Sequence, residues 1–293
     1  MKSNSFEPNI LKEFEKLPNQ FLADLAYLLI SPELRHLKMP ADQAFSLQLS
    51  ATELREILKS LHRSPLKENF QHLPLGKYAE ELFAYYFRMA ENYELLAHNL
   101  QLNEEGLTVG EIDFLLFNKR KGQYLHLEVA LKYYLKVERD KRPIFLGPST
   151  KDWFARKIDK LHNQQLNLCK DYAHLLPPEF ANKQFSTFQL IKGCLFYPYQ
   201  SWENIEPTYS NAWWLQHQEV ESLLSNHGNY RIITDRKDWI NPFRLTNLMK
   251  KKDCCEKLAQ LFLEGQNEVM LVRFNEQKKV IDRGFVMRDG WPN

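Results

Sequence analysis

The chain has 293 residues, of which 44% are hydrophobic and 26% charged, and its formal net charge is +2. This is the composition of a soluble globular protein with one large domain or two modest ones. The longest apolar stretch near the start, residues 21–30, contains Asp24 and is too short and too polar to cross a bilayer. No basic region followed by an apolar run opens the sequence, so we expect no secretion signal, and none of the four cysteines has zinc-site spacing. We therefore expect a cytoplasmic protein with no membrane partner.

The small net charge hides an uneven distribution. Residues 119–170 contain 13 Lys and Arg against 5 Asp and Glu, a local excess of +8, so the rest of the chain carries −6. Concentrated positive charge favours a polyanionic partner, and nucleic acid, DNA in particular, is the partner we expect. A solvated charged surface without a partner is the alternative interpretation.

The first 65 residues indicate a helical extension without visible chemistry. Ser50-x-x-Glu53 is a capping box that predicts the start of a helix. The apolar residues that follow lie on one helical stripe, namely Leu54, Ile57, Leu58 and Leu61. We predict that this extension precedes a larger domain, residues 66–293, with a core at about 70–200 and a mixed C-terminal part at 201–293.

The core is predicted to begin with a helix and a hairpin. Residues 76–98 are apolar and aromatic around most of a helical circumference, which predicts a buried helix. Glu80 and Glu81 interrupt this surface, and helical periodicity does not choose between them as site residues. Two strand-like runs follow, IDFLLF and YLHLEVALKYYL, joined by the polar turn NKRKGQ at 118–123.

The rest of the chain alternates between helical and strand-like patterns. Ser149-x-x-Asp152 signals the start of a helix over 153–172. Asn241, followed by Pro242, predicts the start of another helix that runs to Gly265. The remaining predicted elements are a helix over 211–224 and strands over 188–198, 229–235, 268–274 and 281–287. This order predicts an α/β or α+β fold with a central mixed sheet flanked by helices.

Charged residues interrupt both strands of the predicted hairpin. Strand alternation puts Glu111 and Asp113 on one face of the first strand, and Glu128 and Lys132 on one face of the second. In neighbouring strands, Asp113 and Glu128 would converge and repel each other. A hard divalent cation bound through oxygen would relieve this repulsion, and Mg²⁺ (or Mn²⁺) held by both carboxylates is the arrangement used for phosphodiester cleavage. Strand ends or surface ion pairs are the alternative for these residues.

Basic and amide side chains complete the predicted site. Lys132 would stabilise charge near the scissile phosphate, although it lies ~13 Å along an extended strand from Glu128 at ~3.3 Å per residue. Gln165 falls on the apolar stripe of the following helix, where a buried amide needs a partner. It could contact the nucleophile, a metal-bound water or the DNA backbone, and a structural hydrogen bond to a strand end is the alternative. Contacts to phosphates are expected from basic residues of the hairpin turn and this helix, namely Lys119, Arg120, Lys121, Lys157 and Lys160.

Two resemblances extend this interpretation. The order of a helix Glu, a strand Asp, a strand Glu-x-x-x-Lys and a helix with Lys and Gln resembles the PD-(D/E)XK nuclease superfamily. The stretches GKYAEEL, GEIDFLL and YLHLEVALKYYL are similar to the corresponding helix and strands of small bacterial endonuclease-like proteins, which favours Glu80 over Glu81. From about residue 66 onward, the chain also resembles the domain of unknown function 1853 family, through GPSTKDWFARKIDKLHNQQL, NYRIITDRKDWINPF and the closing RGFVMRDGWP.

The resemblance implies a restriction-endonuclease-like core and a Mg²⁺-dependent nuclease. Asp113 and Glu128 would hold the metal, Lys132 would assist the water nucleophile, and Glu80 and Gln165 would orient metal-bound water or substrate. The superfamily pattern places a lysine two residues after the glutamate, where this chain has Ala130. This departure supports the alternative function, a catalytically inactive module of the same fold that binds nucleic acid or a protein partner.

Overall fold

Nine strands form a single sheet in the computed structural model, which describes residues 14, 16–34, 43–47, 49–64, 70, 72–202, 205 and 211–293. The strands are β1 (Tyr93–Glu104), β2 (Leu107–Asn118), β3 (Gln123–Arg139), β4 (Arg142–Leu146), β5 (Phe185–Pro198), β6 (Asn211–Gln216), β7 (Asn229–Ile233), β8 (Glu268–Phe274) and β9 (Val280–Met287).

Helices of the described residues flank this sheet. The α-helices are α1 (Gln20–Ile30), α2 (Ala51–His62), α3 (Leu75–Met89), α4 (Phe154–Asn163), α5 (Leu168–Asp171), α6 (Tyr199–Trp202), α7 (Val220–Leu223) and α8 (Lys251–Leu263). Short 3-10 helices lie at Gln165–Asn167, Ala173–Leu175, His217–Glu219 and Arg236–Trp239. None of the helices described is long and apolar enough to span a membrane.

The sheet mixes antiparallel and parallel pairing. The strand order is β1-β2-β3-β5-β6-β9-β8-β7, and β4 pairs with the end of β3 outside this path. The three central pairs, β3–β5, β5–β6 and β6–β9, are parallel, and the pairs on either side are antiparallel. This confirms the predicted mixed α/β fold. The C-terminal part predicted at 201–293 supplies the second half of the same sheet.

The predicted hairpin is present, but its two strands separate after a short ladder. β2 pairs with β3 only from Phe114 opposite Leu127 to Asn118 opposite Gln123. On its opposite edge, β3 continues to pair with β5. On the edge that β2 leaves, β3 pairs with β4 only from Leu135 onward. Residues 128–134 of β3 therefore face a gap where the β2 ladder has ended. Asp113 lies at the mouth of this gap.

Apolar burial on both faces of the sheet holds the helices in place. The largest cluster joins α1 and α3 to one face, with Phe83 and Phe87 of α3 buried near Phe114 and Leu127. On the other face, Phe154, Ile158 and Leu161 of α4 pack with Tyr134 and Ile191. Helices α5 and α8 cover the β1–β2 end and the C-terminal half of the second face. The β2–β3 gap is therefore bordered by α3 on one face and by α4 on the other.

The N-terminal helices agree with the sequence where they are described. The Ser50–Glu53 capping box begins α2, with the Glu53 backbone N–H donating to Ser50 Oγ at 3.2 Å. Helix α1 packs into the main core, and its buried Asp24 accepts hydrogen bonds from Tyr78 at 2.9 Å and from Gln20. Part of the predicted extension, residues 1–13, 15, 35–42, 48 and 65, lies outside the described residues, as does the predicted boundary at 65/66.

Two predicted helices are partly strand. The helix predicted for 76–98 ends at Met89, and the next residues form β1. The helix predicted for 211–224 is β6 over its first six residues, with short helical turns after it. β6 lies in the middle of the sheet with Trp213 and Leu215 buried, so pairing with strands on both sides overrides the local pattern.

Two other predicted helices are shorter than expected. The helix predicted for 153–172 begins at Phe154 without a side-chain cap and breaks at Gln164, whose φ of −129° and ψ of −68° are not helical. The break puts Gln165 into a 3-10 turn rather than on the stripe of a continuous helix. The helix predicted from Asn241 begins at Lys251, and Gly265 follows its end at a φ of +91°.

Candidate functional site

Asp113 and Glu128 meet where β2 and β3 separate, and their side chains replace the missing ladder. The Val129 backbone N–H donates to Asp113 Oδ2 at 2.8 Å, and the Asp113 backbone N–H donates to Glu128 Oε1 at 3.4 Å. Both residues are almost fully buried, since Asp113 is 7% exposed and Glu128 is 2% exposed. The convergence predicted from strand alternation is thus present in the structure.

Glu128 is held from two further directions. His126, fully buried two residues earlier on β3, lies with Nε2 2.8 Å from Glu128 Oε1. The direction of this hydrogen bond depends on the tautomer of His126, and Nε2 is the donor when it carries the proton. Gln165 Nε2 donates to the other oxygen, Glu128 Oε2, at 2.8 Å, and Lys157 Nζ donates to Gln165 Oε1 at 3.0 Å. The break after α4 makes this chain possible, because it turns the Gln165 amide toward the sheet.

A second set of carboxylates approaches Asp113 from the side of α3. One oxygen each of Glu80, Glu111 and Asp113 lie within 4.8 Å of one another. Lys77 Nζ donates to Glu80 Oε2 at 2.7 Å and to Glu111 Oε1 at 2.5 Å. We call Glu80, Glu111, Asp113 and Glu128 the carboxylate cluster. Glu81 is outside it, with an oxygen 3.9 Å from His98 Nδ1.

Burial and mutual repulsion disfavour full ionisation of this cluster. Burial, with the charges of Glu128 and Glu80, raises the pKa of Asp113 well above its ordinary value. Burial is also the main cause that raises the pKa of Glu80, with Glu111 and Glu128 adding to it, although Lys77 opposes the shift. Such shifts are typical of functional carboxylates and also of structural ion-pair networks. A cation among these oxygens would favour their charged forms.

Two lysines of the basic region flank the cluster in different ways. Lys132 Nζ donates to Asp152 Oδ2 at 2.9 Å, at the start of the α4 segment. Burial lowers the pKa of Lys157, as does the charge of Lys132, while Asp113 and Glu128 act in the opposite direction. Lys157 is therefore the lysine coupled to both carboxylates, and it also holds the amide that positions Glu128.

The other basic residues predicted to contact phosphates lie on the surface. Lys160 is exposed on α4, and Lys119, Arg120 and Lys121 are exposed in the β2–β3 turn. That turn begins about 20 Å from Asp113 along β2, at ~3.3 Å per residue. Arg120 donates to Glu53 Oε1 at 2.9 Å. Arg120 and Lys121 border a cleft of about 250 Å³ that is also lined by aromatic residues, among them Tyr93 and Phe188.

Three further residues belong to the cluster or contact it, and the sequence pattern did not identify them as site residues. Glu111 and His126 each lie two residues before a predicted carboxylate, the spacing that shares a strand face. Lys77 lies three residues before Glu80, the spacing that brings helix side chains together. These spacings are weak signals alone, because exposed strands and helices show them often.

The donor set fits a hard divalent cation. All the converging groups are carboxylate oxygens, the ligands that Mg²⁺ and Mn²⁺ prefer. A positive charge already lies among them in the form of the Lys77 ammonium, and two members of the cluster have raised pKa values. Glu80, Glu111 and Asp113 would hold such an ion, since their oxygens already lie within 4.8 Å of one another, and Glu128 lies next to Asp113.

Comparison with known proteins shows the family. Residues 23–287 match the family model described as Domain of unknown function (DUF1853). The match begins nearer the N terminus than the resemblance seen from about residue 66, and so includes α1 and α2. A search of curated proteins and a search of solved structures each gave no match. The chain therefore belongs to the DUF1853 family.

Proposed function

We propose that this chain is a Mg²⁺- or Mn²⁺-dependent nuclease that hydrolyses phosphodiester bonds of nucleic acid, with DNA as the expected substrate. The carrying observation is that Asp113 meets Glu128 at a gap in the sheet and lies with Glu80 and Glu111 in a cluster of oxygens within 4.8 Å of one another, while Lys157 is linked to Glu128 through Gln165. The order of these residues along the chain also resembles the PD-(D/E)XK nucleases. A bound cation would lower the pKa of a coordinated water and offset charge on the phosphate.

The residues of the chain have separate tasks in this proposal. Asp113 and Glu128 hold the cation, and the hydrogen bonds from Val129, His126 and Gln165 fix the direction of their oxygens. Glu80 orients water at the same cluster. Lys157, with a pKa lowered by burial and by Lys132, places a positive charge beside the reacting phosphate and water. We thus move to Lys157 the role first predicted for Lys132, which is paired with Asp152.

In this proposal, the exposed basic side chains near the carboxylate cluster contact the phosphates of the nucleic acid. Lys160 lies on the same helix as Lys157, and the Lys119–Lys121 turn begins about 20 Å along β2 from Asp113 at ~3.3 Å per residue. A strand of nucleic acid bound at the gap could reach both. The aromatic side chains of the cleft beside Arg120 would then allow a base to stack.

The deciding experiment incubates the purified protein with single-stranded, duplex and branched DNA and with RNA, in Mg²⁺ or Mn²⁺. Wild-type protein should cleave at least one substrate, and Asp113→Ala and Glu128→Ala should abolish cleavage. Circular dichroism checks that both variants remain folded. Absence of cleavage by the wild type, or equal cleavage by the variants, would refute the enzymatic proposal.

A non-catalytic module of the same fold is the second candidate. Ala130 occupies the position where the resembling nucleases have a lysine, and Lys132 is paired with Asp152. This candidate predicts salt-sensitive binding of nucleic acid that survives Asp113→Ala. Tight Mg²⁺ binding that is lost on Asp113→Ala would count against it.

A further inference from the structure

Lys77 holds the position of a cation in the carboxylate cluster. Its ammonium donates to Glu80 Oε2 at 2.7 Å and to Glu111 Oε1 at 2.5 Å, and Asn99 Oδ1 lies at 3.5 Å. The same two carboxylates and Asp113 have oxygens within 4.8 Å of one another. An ammonium and a divalent cation would therefore use the same two carboxylates, Glu80 and Glu111, and compete for them.

Lys77 is more exposed than the two carboxylates it contacts. The side chain of Lys77 is 42% exposed, while those of Glu80 and Glu111 are 13% and 30% exposed. Asp113 is more deeply buried still, and its backbone and side chain are both hydrogen-bonded across the gap. A lysine is a compact charge on a flexible four-carbon stem. The Lys77 ammonium can thus move into solvent while the carboxylates stay in place.

The hydrogen bonds show what the lysine does in the absence of a metal. The Lys77 ammonium bridges Glu80 of α3 and Glu111 of β2, and its positive charge offsets the negative charge of these two carboxylates. Lys157, the other lysine coupled to the cluster, is reached through Gln165 from the opposite face of the sheet.

We propose that Lys77 is a built-in counter-ion of the carboxylate cluster, which a divalent cation displaces when it binds. This inference rests on the metal site of the proposed function and adds a regulating residue to it. Lys77 stabilises the metal-free protein and weakens metal binding, because its hydrogen bonds to Glu80 and Glu111 must break first. The metal-binding affinity is then set by competition between two cations.

Calorimetric titration of Mg²⁺ and Mn²⁺ into the metal-free protein tests the competition. Lys77→Met should bind either ion about tenfold more tightly than wild type, the effect of removing charge-assisted hydrogen bonds of ordinary strength. Lys170→Met is the matched control, since it removes the same charge from an exposed position on α5. It should bind with wild-type affinity.

Amine labelling of the wild-type protein gives a second, independent measurement. Acetic anhydride treatment followed by mass spectrometry should show faster acetylation of Lys77 in saturating Mg²⁺ than in chelator. Lys170 should be acetylated at the same rate in both conditions. Unchanged labelling of Lys77 would overturn the proposal, and this measurement decides the matter if Lys77→Met does not fold.

The outcomes separate this inference from the function it rests on. Equal affinity of wild type and Lys77→Met, with binding lost in Asp113→Asn, would leave the metal site standing and overturn the role of Lys77. Weaker binding by Lys77→Met would also overturn it, because Lys77 would then position the carboxylates for the metal. No binding of Mg²⁺ or Mn²⁺ by any of the proteins would overturn both the inference and the metal-dependent function.

Discussion

Asp113 and Glu128 are joined across the β2–β3 gap by hydrogen bonds that a regular ladder would make between backbone groups. Asp113 accepts from the backbone beside Glu128, and Glu128 accepts from the backbone of Asp113. The two carboxylates therefore end the hairpin ladder as well as forming the centre of the candidate site. Substitutions here must be judged on stability and on binding separately.

Asp113→Asn should separate these two roles. The amide oxygen can still accept from Val129, while the buried charge and its repulsion with Glu128 and Glu80 are removed. We expect loss of Mg²⁺ binding in calorimetry together with a gain of about 1 kcal/mol in the free energy of unfolding, or ~2 °C in melting temperature. A variant that melts far below wild type without metal would contradict the view that this carboxylate is electrostatically strained.

Lys157→Met and Lys132→Met distinguish the two candidate lysines. Lys157 is coupled to Asp113 and Glu128, whereas Lys132 is paired with Asp152. We expect Lys157→Met to lower the cleavage rate by about 10²–10³-fold, the usual effect of removing a group that stabilises transition-state charge. Lys132→Met should have a much smaller effect. Single-turnover cleavage with saturating protein measures both rates, and the reverse order would return the role to Lys132.

His126→Phe tests the support of Glu128. Phenylalanine fills most of the buried space but offers no hydrogen bond to Glu128 Oε1. Loss of a group that orients a metal ligand typically lowers metal affinity by about 10–100-fold. Calorimetric titration with Mn²⁺ gives the affinity, and circular dichroism shows whether the fold is kept. An unchanged affinity in a folded variant would mean that Gln165 and the Asp113 backbone suffice to hold Glu128.

Much of the fold was predictable because its strongest patterns agree with their packing. The hairpin, β5 and the two final strands carry runs of apolar and β-branched residues, and the capping box marks the start of α2. β6 was mistaken for a helix because NAWWLQHQEVESLL has helical spacing, whereas Trp213 is buried between neighbouring strands. Such non-local pairing has no signature within the segment itself.

The sequence pattern indicates the carboxylates of the candidate site, but it does not indicate which lysines contact them. Asp113 and Glu128 stand out as charges within apolar strands, and alternation places them on strand faces. The role of Lys157 depends on the break at Gln164, which turns Gln165 toward Glu128. The role of Lys77 depends on the packing that brings the start of α3 close to Glu111 of β2. These are relationships between elements, which the spacing of residues within one element does not contain.

Asp24 predicts a pH dependence of stability away from the site. Burial raises its pKa to about 7, against the lowering effects of Arg244, Gln20 and Tyr78. An acid whose folded-state pKa is raised loses stability as pH rises, here from about pH 4 to about pH 7, because the unfolded chain ionises first. The stability of Asp24→Asn relative to wild type should therefore increase between pH 5 and pH 8.5 by on the order of 3 kcal/mol. Chemical denaturation at the two pH values measures the difference, and the same difference at both would contradict the shift.

Lys121→Ala tests the basic turn as a nucleic-acid contact. Lys121 is exposed and borders the cleft beside Arg120. Removal of one phosphate contact should weaken binding of all sequences alike and make the slope of log affinity against log salt shallower by about 1. Fluorescence anisotropy over a range of salt concentrations gives the slope. Lys170→Ala serves as the control, and equal slopes for the two variants would remove the turn from the binding surface.

The position of β9 has a consequence for how the chain folds during synthesis. The last strand, Val280–Met287, lies between β6 and β8, which precede it in the chain. A nascent chain can assemble β1 to β5, with Asp113 and Glu128 in place, while β6 still has an open edge. The sheet becomes continuous only when residues 280–287 have left the ribosome. Ribosome-bound chains stalled before residue 280 should therefore expose the β6 edge to chaperones although the carboxylate cluster has formed.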